Sequence, residues 1–170
     1  MNLFKKKKDV IEELRENGAI IGENVHIINC LMDRTHTHLI KVGNNTTLTH
    51  CTVLTHDAST KKPLGKSKIG RVFIGDNCFV GLGSIILPNV TIGNNCIIGA
   101  GSVVTKDIPD NSLAAGNPCR VIGRTDEYLK RQKANMEVSP VFSMDCKKFT
   151  DSERKIQFEQ LKDGGIGYND

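Results

Sequence analysis

The sequence predicts an all-β solenoid, a parallel β-helix of about four to five coils with helical pieces at both ends. Three observations predict it. From Ile74 the chain beats in sixes, and Ile74, Val80, Ile86, Ile92, Ile98 and Val104 open successive units. Four residues after each opener comes a small or aliphatic residue: Cys78, Ser84, Val90, Cys96, Ser102 and Ile108. Between them recur Gly and Asn (Gly75–Asn77, Gly93–Asn95), which tolerate left-handed backbone angles. A helix repeats its face every 3.6 residues and a strand every 2, so a period of six fits short strands broken by corners. Three units then complete a triangular coil, and stacked coils ladder the opening aliphatics inside.

The elements follow in order. Residues 3–17 carry Leu3, Phe4, Val10, Ile11 and Leu14 at mostly helical spacing, and Gly18 is placed to stop that helix. An N-terminal helix at 1–18, a β-helix at 19–123 and a C-terminal helical extension at 124–170 are therefore expected. Ile21 and Ile27 open the first units, and Val42, Leu48 and Leu54 open the next. Two interruptions break the beat: residues 33–41 carry about three extra residues and residues 54–67 about eight. The coils become 21–41, 42–67, 68–85 and 86–103, with a partial coil from Val104. In this register the units beginning at 33, 54, 80 and 98 share one face, which holds both insertions. Insertions in repeat proteins collect on the binding face. Downstream, Asp126–Met136 reads as a helix. Thr150 through Glu153 forms a capping box ahead of a helix to about Leu161, and Gly164–Gly167 reads as an irregular end. The helical pieces are expected to cap coil ends that would otherwise expose strand edges.

Composition narrows the function. Aromatics are 5% and Trp is absent, which suits a narrow solenoid core. Much of the net charge of +4 comes from the run Lys5–Lys8, which reads as a solvated helix face. No nucleic-acid-binding pattern accompanies it. Of six Cys, Cys78 and Cys96 fall at inward positions of the repeat and read as reduced core residues of a cytoplasmic protein. No C-x-x-C pair, signal peptide or membrane span is visible.

The stretch Leu54–Ile122 resembles the hexapeptide-repeat acyltransferases, in particular the maltose, galactoside and capsular-sugar O-acetyltransferases. Three segments carry the resemblance: L-T-H-D-A-S-T-K (Leu54–Lys61), the repeat block Ile74–Val104, and G-A-G-S-V-V-T-K-D-I-P-D-N-S-L-A-A-G-N-P-C-R-V-I (Gly99–Ile122). The resemblance extends over about residues 1–123. It implies a left-handed coil, against the usual right-handed rule for parallel crossovers. It also implies a homotrimer with acetyl-CoA as co-substrate in the groove between subunits, and no metal. The implied catalytic residue is His56. The implied CoA contacts are Leu82, Ala100, Thr105 and Lys106.

The residue chemistry agrees. Transfer to a hydroxyl needs a base near neutrality, and imidazole titrates there. His56 would take the hydroxyl proton as the oxygen attacks the thioester, then hand it to the leaving thiolate. Counting in sixes sets Leu82 and Ala100 at positions equivalent to His56, so backbone N–H groups of Gly81, Leu82 and Gly83 are expected near the thioester. Lys106 and Arg120 are expected at CoA phosphates. Where relatives carry Trp this chain has Phe79, and where they carry a small residue it has Leu82, which would favour acetyl over longer acyl groups. Asp57 follows His56 on an extended segment, so it points the other way and is expected at a sugar hydroxyl rather than at the imidazole. Asp33, His36 and His38, in the other insertion, are assigned to the acceptor pocket. His26 and His50 read as incidental.

Other readings compete. N-acetylation of an amino sugar or nucleotide-amino sugar would use the same base and donor. A γ-type carbonic anhydrase would need three His on zinc at a subunit interface, but the His spacing here differs from H-x4-H. A non-catalytic scaffold would have no use for His56, and Cys51 as an acyl-enzyme nucleophile is a further alternative. The lead expectation is a sugar or polysaccharide-precursor O-acetyltransferase with direct transfer.

Overall fold

The computed structural model describes residues 9–142 and 149–169. They form two compact units, divided between Thr125 and Asp126. Leu3, Phe4 and Lys5–Lys8, expected on the first helix, lie outside the described residues.

In the first unit the chain visits three parallel sheets in fixed rotation. The first sheet stacks Ile20–Ile21, Ile40–Val42, Val72–Ile74 and Val90–Ile92. The second stacks His26–Ile28, Thr47–Thr49, Phe79–Val80, Ile97–Ile98 and Ser112–Ala115, and Arg120–Arg124 closes it antiparallel. The third stacks Leu31–Met32, Thr52–Val53, Ile85–Ile86 and Val103–Val104. The inward ladders are Ile21, Val42, Ile74 and Ile92; Ile27, Leu48, Val80, Ile98 and Ala114; and Met32, Val53, Ile86 and Val104. Most are fully buried, each worth about 1.5–3 kcal/mol of transfer free energy.

The corner between the first and second sheets explains the I-G-x-N signature. Asn24, Asn45, Asn77 and Asn95 adopt left-handed φ of 53 to 56°. Their side-chain amides hydrogen-bond one to the next at 3.1–3.3 Å. Beside them, Asn44, Asp76, Asn94 and Asp110 accept backbone N–H groups of the preceding coil at 2.6–2.9 Å. Gly75 lets the coils approach this closely, for a Cβ there would sit 2.6 Å from Asn94 Oδ1 and 2.7 Å from the Gly93 carbonyl.

The register differs from the sequence count at two points. The unit Leu48–Thr52 has five residues, so Val53 rather than Leu54 opens the next and pairs beside Ile86. Val53 is fully buried and Leu54 only partly. No separate coil unit begins at residue 68: Lys68–Ile69 pairs antiparallel with His56–Asp57, and the chain rejoins the first sheet at Val72. The second insertion thus runs from Leu54 to Arg71, and includes a short helix, α2 (Lys61–Leu64). It follows that units 33 and 54 do not share a face with units 80 and 98.

Helix α1 (Val10–Glu16) lies at the start of the coils. Asp9 caps it, Leu14 joins the core with Ile21, and the Arg15 guanidinium donates to the Ile21 and Gly22 carbonyls at 2.9 and 2.8 Å. Helix α3 (Thr125–Met136) leads into the second unit. There Val141–Phe142 pairs parallel with Tyr168–Asn169, and α4 (Asp151–Leu161) starts at a Thr150–Glu153 capping box. Among the described residues no helix is long and apolar enough to cross a membrane.

Candidate active site

Both insertions leave the coil at the same corner, between the third sheet and the first. The first insertion runs from Asp33 into a short 3-10 turn, Thr37–Leu39, before rejoining at Ile40. The second begins after Val53, where the Leu54 N–H still bonds the Ile86 carbonyl at 3.0 Å. It then turns outward as the His56–Asp57 and Lys68–Ile69 pair. His56 therefore stands on the first strand of a short hairpin that leaves the coil at Leu54 and rejoins it at Val72.

The imidazole is positioned by Asp33. His56 Nδ1 lies 2.5 Å from Asp33 Oδ2. The same oxygen accepts the Thr55 hydroxyl at 2.7 Å and the Thr55 N–H at 3.0 Å, while Oδ1 accepts the Thr35 N–H at 2.9 Å. The Asp33 side chain is 3% exposed against 35% for His56. Burial by itself would raise the Asp33 carboxyl, but the bonds from the Thr55 hydroxyl, the Thr35 and Thr55 N–H groups and His56 hold it below the ordinary carboxylate range. An ionised Asp33 accepts, so Nδ1 carries the hydrogen and the Nε2 lone pair is left to the open side. Asp33 was expected in the acceptor pocket; it is instead buried beneath the base.

Asp57, as expected, does not serve the imidazole. Its carboxylate pairs with Lys68 Nζ at 2.5 Å and caps Ser59 N–H at 2.8 Å. The Lys68 ammonium chiefly, with the Ser59 bonds, lowers its pKa. His36 packs edge-on to His56 with centroids 5.8 Å apart, and His38 lies 6.1 Å beyond His36. The first insertion thus brings His36 beside the base and leaves exposed His38 further out.

The remaining residues divide between two edges of the third sheet. Thr105 and Lys106 follow Val104 and lie, exposed, on the His56 edge. Gly81, Leu82, Gly83 and Ala100 lie on the other edge, between the second and third sheets, stacked on His50 through Gly83 N–H to His50 O (3.1 Å) and Gly101 N–H to Leu82 O (2.8 Å). Arg120 follows this second edge beyond Gly116–Cys119. The expected line from His56 through Leu82 and Ala100 does not exist within one chain, because residues 54–71 leave as a single insertion and no coil unit begins at residue 68. Nor are the Gly81 and Gly83 N–H groups free, since they bond the Ile98 and His50 carbonyls. The N–H groups of Leu82 and Ala100 make no bond within the chain among the described residues. His50 itself is a corner residue with φ 45°, and Phe79 stands on the outer face of the second sheet between Thr47 and Ile97. Cys51 is buried, and its hydrogen bond to Cys30 together with burial pushes its thiol up, away from a nucleophilic thiolate.

The bacterial transferase hexapeptide family (six repeats) matches residues 71–106. Protein CapG of Staphylococcus aureus is 37% identical over 154 residues, spanning 85% of this chain and 84% of CapG. A solved maltose O-acetyltransferase from Clostridium difficile 630 superposes with a TM-score of 0.52 at 33% identity, covering 72% of this chain and 78% of the enzyme. A galactoside acetyltransferase in complex with coenzyme A gives a TM-score of 0.54 at 28% identity, covering 74% and 76% of the two chains.

Proposed function

Because the chain belongs to the bacterial hexapeptide-repeat transferases, we propose that it is an acetyltransferase moving the acetyl group of acetyl-CoA to a hydroxyl of a sugar or polysaccharide precursor. The observation that carries this reading is the Asp33–His56 hydrogen bond at the corner where both insertions leave the coil. The named activities of the maltose and galactoside enzymes support the substrate class.

In this reading His56 Nε2 accepts the hydroxyl proton as the oxygen attacks the thioester carbonyl. Asp33 holds Nδ1–H and stabilises the imidazolium that forms. Collapse of the tetrahedral adduct breaks the C–S bond, and Nε2 returns the proton to the departing thiolate. The products are the acetyl ester and free CoA, with no covalent enzyme intermediate. The free Leu82 and Ala100 N–H groups suit the amide-bearing arm of the donor, and Lys106 and Arg120 suit its phosphates.

The two edges need a second copy. His56, Thr105 and Lys106 stand on one edge of the third sheet, Leu82 and Ala100 on the other, so one chain alone does not bring them together. A cyclic assembly puts one copy's first edge against its neighbour's second. The outer row of the sheet between them, Leu31, Thr52, Ile85 and Val103, is largely apolar, as a contact between copies requires. The proposal therefore includes a homotrimer of left-handed β-helices with the reaction between subunits. It further assigns residues 19–123 to the catalytic β-helix, and the protein to the cytoplasm, where core thiols such as Cys78 and Cys96 stay reduced.

The test is CoA release from acetyl-CoA across neutral sugars, acidic sugars and amino sugars, with the product weighed and its linkage identified. An O-acetyl sugar is expected. Exclusive N-acetyl products would replace the hydroxyl acceptor with an amine, and no transfer to any saccharide would end the reading.

A further inference from the structure

A groove of about 470 Å³ runs along the outer face of the first sheet to the corner that carries His56. Lys41 and Phe73 line it from the sheet, and His38, Arg71, Asn89 and Asp107 from the corner. Lys41 Nζ sits 5.0 Å from the centroid of the Phe73 ring, which gives the groove an aromatic wall under a cation. Asp107 is already engaged, accepting the Thr91 N–H at 2.7 Å. Arg71 and Lys41 have no carboxylate partner among the described residues. Arg71 also ends an insertion strongly biased in charge: from Asp57 onward it holds Lys61, Lys62, Lys66, Lys68 and Arg71 against the single acid Asp57.

A row of His rings leads from the groove to the proposed catalytic base. His38 is part of the groove wall, and the rings His38, His36 and His56 succeed one another at 6.1 and 5.8 Å. An acceptor whose hydroxyl lies at His56 has this groove as the open ground for its next group. Unpaired cations around a partly aromatic cleft complement a ligand that is both ring-shaped and negative. The Arg fork matches a carboxylate or phosphate bidentately.

We propose that this groove is an acceptor subsite for the anionic group of a charged saccharide, a uronate carboxylate or a sugar phosphate, held by Arg71 and Lys41 while its hydroxyl is presented to His56. This rests on the reading of the protein as a sugar acetyltransferase, and names the charge class of the acceptor. The donor's phosphates are assigned to Lys106 and Arg120, and the KM values for acceptor and for acetyl-CoA separate the two anion sites.

The test compares wild type with Arg71→Ala, Lys41→Ala and the double variant. Transfer is measured to a uronate disaccharide, to its carboxyl-reduced neutral counterpart and to a sugar phosphate. Wild type is expected to prefer a charged acceptor over the neutral one by about tenfold or more in kcat/KM, the size of one charge-assisted contact. The double variant should bring that ratio close to one, through KM of the acceptor and not KM of acetyl-CoA. The uronate and phosphate arms show which anion is the natural one. An unchanged ratio in the double variant, no preference in wild type, or a rise confined to the KM of acetyl-CoA overturns the subsite. Binding of the same three ligands to His56→Ala and to Arg71→Ala protein is read independently by calorimetry. Charged-ligand binding that His56→Ala keeps and Arg71→Ala loses upholds the groove even if no saccharide is acetylated. Failure of both charged ligands to bind any form overturns it.

Discussion

Asp33 spends every described hydrogen bond of its carboxylate on the segment that carries the base or on its own turn: Thr35, Thr55 and His56. It therefore fixes both the strand and the tautomer. Replacing Asp33 with Asn keeps the shape but removes the charge that favours Nδ1–H and the imidazolium, so kcat should fall by about 10²–10⁴ while KM for acetyl-CoA moves little. A matching loss in His56→Ala, with coenzyme A binding retained in calorimetry, is the expected companion result. Equal activity of His56→Ala and wild type would sink the mechanism. Asp33 also makes stability depend on pH. Its folded pKa lies below the unfolded value of about 3.9, so its contribution is fully present above about pH 4–5 and is lost as pH falls through the folded pKa. Asp33→Asn should cost about 1–3 kcal/mol at pH 7, and the gap from wild type should narrow in denaturant melts taken progressively below pH 4.

The corner between the first and second sheets is the element that repeats most faithfully, and its parts can be separated. Asn77 combines a left-handed φ of 55° with side-chain bonds to Asn45 and Asn95. Asn77→Gly loses only the bonds, whereas Asn77→Ala also pays the left-handed backbone penalty of about 1–2 kcal/mol. Thermal unfolding should rank wild type above Gly and Gly above Ala; the reverse order of the two variants would show that the backbone is not the constraint. Gly75 is needed for approach rather than for φ, and a Cβ there meets backbone of the next coil. Gly75→Ala should destabilise by about 1–3 kcal/mol, the cost of overpacking, measured as a lower midpoint with unchanged m-value.

At the scale of the molecule, the placement of His56 and Ala100 on opposite edges of the third sheet makes a prediction about assembly. His56→Ala and Ala100→Trp proteins should each be inactive alone. Unfolded, mixed in equal amounts and refolded, they should regain about a quarter of wild-type activity, because random cyclic assembly pairs an intact His56 edge with an intact Ala100 edge at one interface in four. If both edges served a site within one chain, every site would carry a lesion and nothing would be regained.

His56 was singled out through the family resemblance; the six-residue period, the inward aliphatic ladder and the Asn corners were legible in the chain itself. Each depends on local spacing, and a stacked coil repeats local spacing in space. The capping box at Thr150 was legible for the same reason. What the tertiary structure decided begins at Leu48–Thr52, a unit one residue short. Residues 54–71 leave as an insertion with its own hairpin, so no coil unit begins at residue 68 and His56 is separated from Leu82 and Ala100; the short unit moves Val53 into the ladder. A count in sixes cannot detect it, since Val53 and Leu54 are both aliphatic neighbours and only burial against Ile86 distinguishes them. The pairing of Asp33 with His56 was likewise decided by stacking. Residues 23 apart in sequence meet because each begins the same corner of successive coils, a distance no motif in the chain records.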